Sequence, residues 1–151
     1  AAVFGRDHGG LHWEYLTEDA ELYLVGMGSM ASEATQAADL LRKEGIKAGV
    51  VGVRVFRPFP AQVLREAFQK ARGIVIFEKG ISYGYEGSLC SDLKAALYRA
   101  EHQAPIHNYI AGLGGRDVKA TELVEAVEEA LGEIGKGRRE KAATWLNCVT
   151  E

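Results

Sequence analysis

The run from residue 50 to residue 60, VVGVRVFRPFP, constrains the fold more than any other part of the chain. Its first seven residues are mostly valine, as in a strand that is covered on both faces of a parallel sheet. Pro58 and Pro60 have fixed φ angles and no amide hydrogen, so the strand has to end before them. In open α/β sheets, functional loops follow such strand ends. The run therefore predicts a buried strand that leads into a loop of functional interest.

Strands and helices alternate along the chain, which is the pattern of βαβ units and a largely parallel sheet. The predicted strands cover residues 21–27, 46–56, 73–78 and 105–110, and the predicted helices cover residues 32–44, 61–71, 88–100 and 121–131. Thr121 is the predicted N-cap of the last helix, although a capping box would need Glu or Gln at position 124. The predicted fold class is α/β, with three layers and a doubly wound, mostly parallel sheet.

The composition is that of an ordinary globular domain. The 151 residues are 47% hydrophobic and 26% charged, which excludes collagen-like, disordered and disulfide-scaffold classes. The 18 basic and 21 acidic residues are spread along the sequence, so we expect neither nucleic acid nor an anionic membrane as a partner. We find no segment of the ~18 apolar residues needed to span a bilayer and no signal-peptide pattern. The sequence therefore predicts a cytoplasmic location.

Cysteines and histidines give no indication of a disulfide scaffold or a metal site. One bridge between Cys90 and Cys148 would make no scaffold, so we expect free thiols in a reducing compartment. The histidines lie at positions 8, 12, 102 and 107. Two glycines between His8 and His12 argue against the helix that would pair them on one metal. The chain is therefore predicted to hold no metal.

The segment around Gly28 and Ser29 passes from a predicted strand into a predicted helix. Exposed amides at such a helix start attract anions. A dinucleotide fingerprint would need a third glycine near position 31 or 32 and an acidic residue at the end of the second strand, and the chain has neither. The alternatives are a structural turn with a helix cap, a contact with a small anion or cofactor tail, and a nucleotide site.

Three arginines near predicted strand ends, Arg54, Arg57 and Arg116, are candidates for bidentate binding of carboxylate or phosphate. The alternative is that they anchor loops by bonding to backbone carbonyls or to a neighbouring carboxylate. The glycines of residues 112–117, GLGGRD, allow positive φ angles and close backbone approach, so this loop could hold a phosphate or receive a neighbouring domain. No Lys-Ser/Thr pair ends the loop, which excludes a P-loop.

Catalytic side chains are not evident. Ser29 and Ser88 lie outside any Gly-x-Ser-x-Gly motif, and neither cysteine has a recognisable catalytic partner. Glu78, at a predicted strand end and followed by Lys79, is the best acid/base candidate, with a salt-bridged structural residue as the alternative. We therefore assign no catalytic residue to this chain.

Several motifs together resemble domain II of the alpha chain in the pyruvate:ferredoxin oxidoreductase family, whose members are 2-oxoacid:ferredoxin oxidoreductases. These motifs are MGS at 27–29, Arg54 with FRPFP at 56–60, IFEK at 76–79 with Gly84 and Gly87, and NYIAGLGGRD at 108–117. The last run is the most specific of them. The resemblance extends from residue 4 to about residue 131 and implies the C-terminal domain of the transketolase superfamily.

The resemblance implies a supporting role in a larger enzyme. Members of the family oxidatively decarboxylate a 2-oxo acid on thiamine diphosphate, pass electrons through iron-sulfur clusters to ferredoxin, and usually transfer the acyl group to coenzyme A. This chain has no Gly-Asp-Gly motif with a distant Asn, and its two cysteines are too few for a cluster. We therefore expect no cofactor here, while thiamine diphosphate, Mg and iron-sulfur clusters belong to the assembled complex. In the family, the residue after the strand-end Glu is usually Arg, whereas this chain has Lys79. Any role that needs a bidentate guanidinium at this position is therefore in doubt.

By resemblance, the chain is a non-catalytic domain that contacts thiamine-diphosphate-binding domains or subunits, reaches ferredoxin through the complex and is inactive alone. Residues 1–20 resemble a connector from a preceding domain, residues 21–131 form the α/β domain, and residues 132–151 form an extension. The interface or anion-binding candidates are Gly28, Ser29, Arg54, Arg57, Gly112, Gly114, Gly115, Arg116 and Asp117. The alternatives are a free-standing nucleotide-binding or flavodoxin-like module, and an oligomerisation scaffold.

Overall fold

A computed structural model describes residues 3, 5–6, 9–98, 100, 104–139 and 143–147 of the chain. The predictions that involve Phe4, His8, His102 and Cys148 lie outside these residues. In chain order the elements are β1 (His12–Tyr15), β2 (Leu22–Met27), α1 (Gly28–Lys43), β3 (Ala48–Val53), α2 (Ala61–Ala67), β4 (Gly73–Glu78), α3 (Ser88–Leu97), β5 (Ile106–Ile110), a 3-10 turn (Leu113–Gly115), α4 (Ala120–Gly135) and β6 (Thr144–Trp145).

The strands form one six-stranded sheet in the order β1-β3-β2-β4-β5-β6. Strand β1 is antiparallel to β3, and every other neighbouring pair is parallel. All residues of β3, β4 and β5 are buried, because helices cover both faces of the sheet. The predicted α/β class with a mostly parallel sheet is confirmed.

Two apolar cores lie on opposite faces of the sheet. On one face, α1 and α4 pack together over residues such as Leu24, Val50 and Phe77. The α1 contacts are made largely by alanines, whose small side chains bring the helix close to the strands. On the other face, α2 and α3 cover Val25, Val51 and their neighbours. The domain therefore has the predicted three layers.

Several predicted limits differ from the structure. Strand β3 ends at Val53 rather than residue 56, because the amides of Arg54 and Val55 bond to the carbonyl of Leu11. Helix α1 begins at Gly28 rather than residue 32, and α2 and α3 end at residues 67 and 97. The prediction of Thr121 as N-cap is wrong, because α4 begins at Ala120 and residue 119 is its N-cap. The amide of residue 119 donates to the carboxylate of Glu122 at 2.9 Å. Helix α4 continues to Gly135, four residues beyond its predicted end.

The sheet includes residues on both sides of segment 21–131. Strand β1 pairs with β3 so that Trp13 lies over Gly52, where an added Cβ would come within 2.0 Å of the indole. At the other edge, β6 pairs with β5, and the amide of Leu146 donates to the carbonyl of Ile110. Residues from the predicted connector and extension thus form both edge strands. No helix within the described residues is both long and apolar enough to cross a bilayer.

Candidate functional site

The loops that contain the predicted site residues all leave the same edge of the sheet. Strands β2 to β5 are parallel, so their carboxyl ends lie together. Gly28 and Ser29 follow β2, Arg54 and Arg57 follow β3, and residues 112–117 follow β5. The structure therefore collects the candidates at the edge where open α/β sheets bind ligands.

A cleft opens at this edge near the point where strand order reverses, between β2 and β4. Its volume is about 320 Å³, and its lining is Met27, Met30, Phe56, Glu78, Lys79, Gly80, Ser88 and Leu89. Four of these eight residues have apolar side chains, and none of the nine predicted interface residues is among them. The predicted interface residues therefore lie at the same edge of the sheet as this cleft without lining it, whereas Glu78, the predicted acid/base candidate, is part of its wall.

Gly28 and Ser29 are exposed at the start of α1. Gly28 has a positive φ of 54°, a conformation that glycine adopts without strain. In the described part of the chain, no side chain caps this helix start and no acidic residue lies in its first turn. This helix start is therefore left uncapped by a side chain, an arrangement that accommodates an anion as well as a simple turn.

The two arginines after β3 differ in their contacts. Arg57 donates to the carboxylate of Asp92 at 2.8 Å and to the Phe56 carbonyl, and its guanidinium lies 4.1 Å from the centroid of the Phe56 ring. It ties the loop after β3 to helix α3, as the loop-anchor alternative states. Arg54 is exposed, and its guanidinium lies where a side chain at Gly9 would otherwise project. Both arginines are exposed, and the guanidinium of Arg54 packs against Gly9 while that of Arg57 pairs with Asp92.

The glycine-rich loop after β5 has two distinct parts. Gly112 has φ of 72°, and an added Cβ would lie 3.1 Å from Cε of Lys79 and 3.2 Å from a methyl of Val118. Gly114 and Gly115 have φ of 66° and 81°, but an added Cβ would meet no atom within 4 Å. Gly112 is therefore needed for packing and conformation, whereas the other two present bare backbone to solvent.

Arg116 and Asp117 complete this loop. Arg116 donates to the carbonyl of Asn147 at 3.0 Å and lies 3.9 Å from the carboxylate of Glu122. Half of its side chain is exposed, so it anchors the C-terminal segment and still reaches solvent. Asp117 is exposed. The loop-anchoring alternative is thus seen for Arg116 as well, within this chain.

Glu78 is buried at the end of β4 and accepts three hydrogen bonds. Its carboxylate takes the amides of Leu89 and Cys90 at 2.8 and 3.2 Å, and the side-chain amide of Asn108 at 2.9 Å. Burial raises the pKa of Glu78 above its usual value, although these hydrogen bonds oppose the shift. The salt-bridge interpretation is wrong, because its partners are amides and it caps α3. The same contacts occupy both oxygens, which leaves it poorly placed for proton transfer.

A second buried carboxylate, which sequence reasoning missed, lies beside the first. Glu86 accepts from Nζ of Lys94 at 2.6 Å, from the Ser91 hydroxyl at 3.1 Å and from the Cys90 thiol at 3.5 Å. Cys90 is a buried free thiol, and burial raises its pKa, so it is a poor nucleophile. Within the described residues, no group of three His, Cys, Asp or Glu side chains could hold a metal ion.

Known proteins match most of the length of this chain. The family model of pyruvate:ferredoxin oxidoreductase core domain II matches residues 20–123. Ketoisovalerate oxidoreductase subunit VorA of Pyrococcus horikoshii is 37% identical over 144 residues, which are 95% of this chain and 36% of that protein. Pyruvate synthase subunit PorA of Pyrococcus abyssi is 39% identical over 148 residues, which are 98% of this chain and 37% of that protein. The chain thus spans little more than a third of these curated relatives.

Two solved structures share the fold. A split gene transketolase, an inactive beta4 tetramer, aligns with a TM-score of 0.60 and 26% identity, over 78% of this chain and 40% of that one. A 2-oxoglutarate:ferredoxin oxidoreductase from Magnetococcus marinus, with 2-oxoglutarate, coenzyme A and succinyl-CoA bound, has a TM-score of 0.60 at 17% identity. That alignment covers 82% of this chain and 20% of the other, and it shows the fold alone. The predicted transketolase C-terminal-like fold is confirmed.

Proposed function

Because the chain belongs to the pyruvate:ferredoxin oxidoreductase core domain II family, we propose that it is a non-catalytic interface domain of a thiamine-diphosphate-dependent 2-oxoacid:ferredoxin oxidoreductase. The match over residues 20–123 is the observation that carries this proposal. The enzyme as a whole would oxidatively decarboxylate a 2-oxo acid of the pyruvate type, transfer the acyl group to coenzyme A and reduce ferredoxin. The cytoplasmic location expected from the sequence stays a prediction.

The described residues do not fit the cofactors of such an enzyme. Cys90 is bonded to a buried carboxylate, and both oxygens of Glu78 already accept amide hydrogens. Neither residue therefore offers a free ligand to Mg or to an iron-sulfur cluster. We assign these groups and thiamine diphosphate to other domains or subunits, and no step of the reaction to this chain.

The proposed contact surface is the carboxyl edge of the sheet. Gly114 and Gly115 present backbone without side chains there, so another protein surface could approach closely. Arg116 and Arg54 are exposed arginines, and a guanidinium suits a carboxylate or phosphate of that surface. Gly28 and Ser29 add an exposed helix start without a capping side chain at the same edge.

One observation favours a second candidate, a flavodoxin-like ligand-binding module. The cleft near the β2–β4 boundary occupies the place where doubly wound sheets bind cofactors. The absence of a dinucleotide fingerprint from the sequence weighs against a nucleotide, so the interface domain remains the proposal.

The test is Arg116→Ala in the assembled complex. We expect association with the partner to weaken by about 2–5 kcal/mol, the usual loss when one member of a desolvated charge pair is removed. Because Arg116 also anchors the C-terminal segment through the Asn147 carbonyl, Glu122→Gln is the matched control. It changes the other contact of this segment, from the side-chain amide of Asn147 to Glu122, and keeps the guanidinium. Full affinity and normal turnover of Arg116→Ala would reduce this loop to a connector between β5 and α4.

Gly114→Val is a poor test of the same loop. The positive φ of Gly114 strains any β-branched residue, so loss of assembly could reflect misfolding. Asparagine adopts positive φ more readily than other non-glycine residues, so Gly114→Asn adds a side chain to the surface with less strain. Reduced assembly of Gly114→Asn with an unchanged unfolding midpoint would support the proposed contact.

A further inference from the structure

Residues 144–147, which we call the strap, return to the sheet after α4 and lie beside the end of β5. Strand β6 pairs with β5, and the amide of Leu146 donates to the carbonyl of Ile110 at 2.9 Å. The side chain of Leu146 packs against the apolar core that α1 and α4 cover. The strap is thus seated on the sheet both by backbone hydrogen bonds and by a side chain.

Asn147, the last residue of the strap, contacts two other parts of the chain. Its φ of 57° is a left-handed conformation that asparagine adopts more readily than most residues. In this conformation its carbonyl accepts a hydrogen bond from Arg116 at 3.0 Å, and its side-chain amide donates to the carboxylate of Glu122. One residue of the strap therefore binds both the glycine-rich loop and the first turn of α4.

The carboxylate of Glu122 joins these contacts. One of its oxygens accepts the backbone amide of Lys119 at 2.9 Å. The other accepts the Asn147 side chain and lies 3.9 Å from the guanidinium of Arg116. Hydrogen bonds to a charged acceptor are stronger than those between neutral groups. The strap, the glycine-rich loop and the start of α4 are therefore linked through a single carboxylate.

The glycine-rich loop has few other restraints. An added Cβ at Gly114 or Gly115 would meet no atom within 4 Å, so no neighbour packs against these residues on that side. The amide of Arg116 closes the turn on the carbonyl of Leu113 at 3.3 Å, which is long for a hydrogen bond. Within the described residues, Arg116 is the only side chain of residues 113–117 that forms a hydrogen bond. The position of the loop therefore depends on the contact between Arg116 and the strap.

The strap is held less firmly than the central strands. Strand β6 has only two residues and lies at the edge of the sheet, and Trp145 is 45% exposed. Segments with few buried contacts and few backbone hydrogen bonds open locally at a lower free energy than the central strands of a sheet. The strap can therefore leave β5 while the rest of the domain stays folded.

We propose that the strap is a latch for the glycine-rich loop after β5. While the strap is seated, Asn147 holds Arg116 and with it the loop, and the loop is released when the strap leaves β5. Asn147 and Glu122 are then positioning residues, since they act on the loop through Arg116 and the start of α4. The latch goes beyond the proposed function, because all of its contacts lie within this chain.

Rapid-mixing hydrogen exchange in the complete polypeptide that contains this chain tests the latch. The amide of Arg116 reports on the loop, that of Leu146 on the strap and that of Ile76 on the central strand β4. Asn147→Gly removes the side-chain contact and still allows the positive φ. We expect exchange at Arg116 and Leu146 to become about tenfold faster, equivalent to about 1.4 kcal/mol, and exchange at Ile76 to stay unchanged.

Exchange of donor and acceptor across this contact gives a rescue that general destabilisation would not produce. Asn147→Asp places two carboxylates against each other, and Glu122→Gln leaves one oxygen where two acceptors are needed. In the double variant, the new glutamine can accept the amide of Lys119 and donate to the new aspartate. Each single variant should accelerate exchange at Arg116 about tenfold, and the double variant should return to within about twofold of the wild type. Glu125→Gln, at an exposed position of α4, is the matched control and should change nothing.

Three results would overturn the latch. They are unchanged exchange at Arg116 in Asn147→Gly, no recovery in the double variant, and equal acceleration at Ile76, which would mean that the whole domain is destabilised.

The outcomes also separate the latch from the proposed function. If the exchange results hold while Arg116→Ala assembles normally, only the proposed contact surface fails. If Arg116→Ala weakens assembly while Asn147→Gly exchanges like the wild type, only the latch fails.

Discussion

Substitution of Gly87 by alanine tests the buried network that positions α3. The backbone φ of Gly87 is not positive, so alanine brings no conformational strain. Its Cβ would nevertheless lie 1.8 Å from an oxygen of Glu78 and 2.0 Å from its carboxyl carbon. Because Glu78 is itself buried, the carboxylate has to leave its position for alanine to fit.

The cost follows from the hydrogen bonds that Glu78 would lose. Its two bonds to the amides of α3 involve a charged acceptor, and each such bond contributes about 1.5–3 kcal/mol. Burial already raises the pKa of Glu78, so the charged form carries a desolvation cost that its movement toward water would partly relieve. We therefore expect Gly87→Ala to lower the free energy of unfolding by about 2–4 kcal/mol.

Urea unfolding followed by circular dichroism measures this change, with Gly80→Ala as the matched control. Gly80 lies in the same loop, and an added Cβ there meets no atom within 4 Å. Glu78→Asp withdraws the carboxylate by one methylene, so Gly87→Ala should cost less in that background. If Gly87→Ala unfolds within about 0.5 kcal/mol of the wild type, as ordinary surface substitutions do, the packing argument is refuted.

Two further predictions concern pH and the loop after β3. Because the pKa of Glu78 is raised in the folded state, protonation of this group favours folding. That contribution to the free energy of unfolding is complete below the unfolded-state pKa near 4.5 and is lost as pH rises through the folded-state pKa. The urea unfolding midpoint should therefore fall less steeply with rising pH in Glu78→Gln than in the wild type. Equal slopes in the two proteins would contradict the raised pKa of Glu78. Phe59 is half-buried and packs edge-on against Phe56, with ring centroids 6.1 Å apart, so Phe59→Ala should destabilise the fold by about 1–2 kcal/mol, less than a fully buried phenylalanine. Unchanged melting with lost activity of the complex would instead indicate a functional contact.

The central strands could be predicted because their signal is local. Residues 73–78 form β4 with the predicted limits, since an unbroken apolar run follows a glycine and ends at a charged pair. The start of α1 was missed because residues 28–31 contain no side chain that caps it. Strands β1 and β6 are short and are fixed by pairing with distant strands. Gly52 could have indicated the pairing of β1, because a glycine inside a buried strand often marks close approach by another group. In this structure that group is Trp13 of β1.

The candidate site was predictable as a region but not as a set of contacts. Gly28, Arg54 and Arg116 share one edge because parallel strands place their carboxyl ends together. The contacts of Arg57 with Asp92 and of Arg116 with Asn147, by contrast, join residues 35 and 31 positions apart in the chain. Partners at such distances depend on how the layers pack, and a single sequence contains no local pattern for them.

The loop between β4 and α3 shows how buried polar residues can serve an exposed surface. Glu78 and Glu86 are costly to bury, and their hydrogen bonds fix both ends of the loop to the core. Because both ends of the loop are fixed, the hydrogen bond from the Ser82 amide to the Glu86 carbonyl is maintained, and Tyr83 stays exposed to solvent. The same tyrosine on an untethered loop could fold back onto the apolar surface nearby. The buried carboxylates and the exposed tyrosine are therefore two parts of one arrangement, in which hydrogen bonds in the core set the position of an exposed turn.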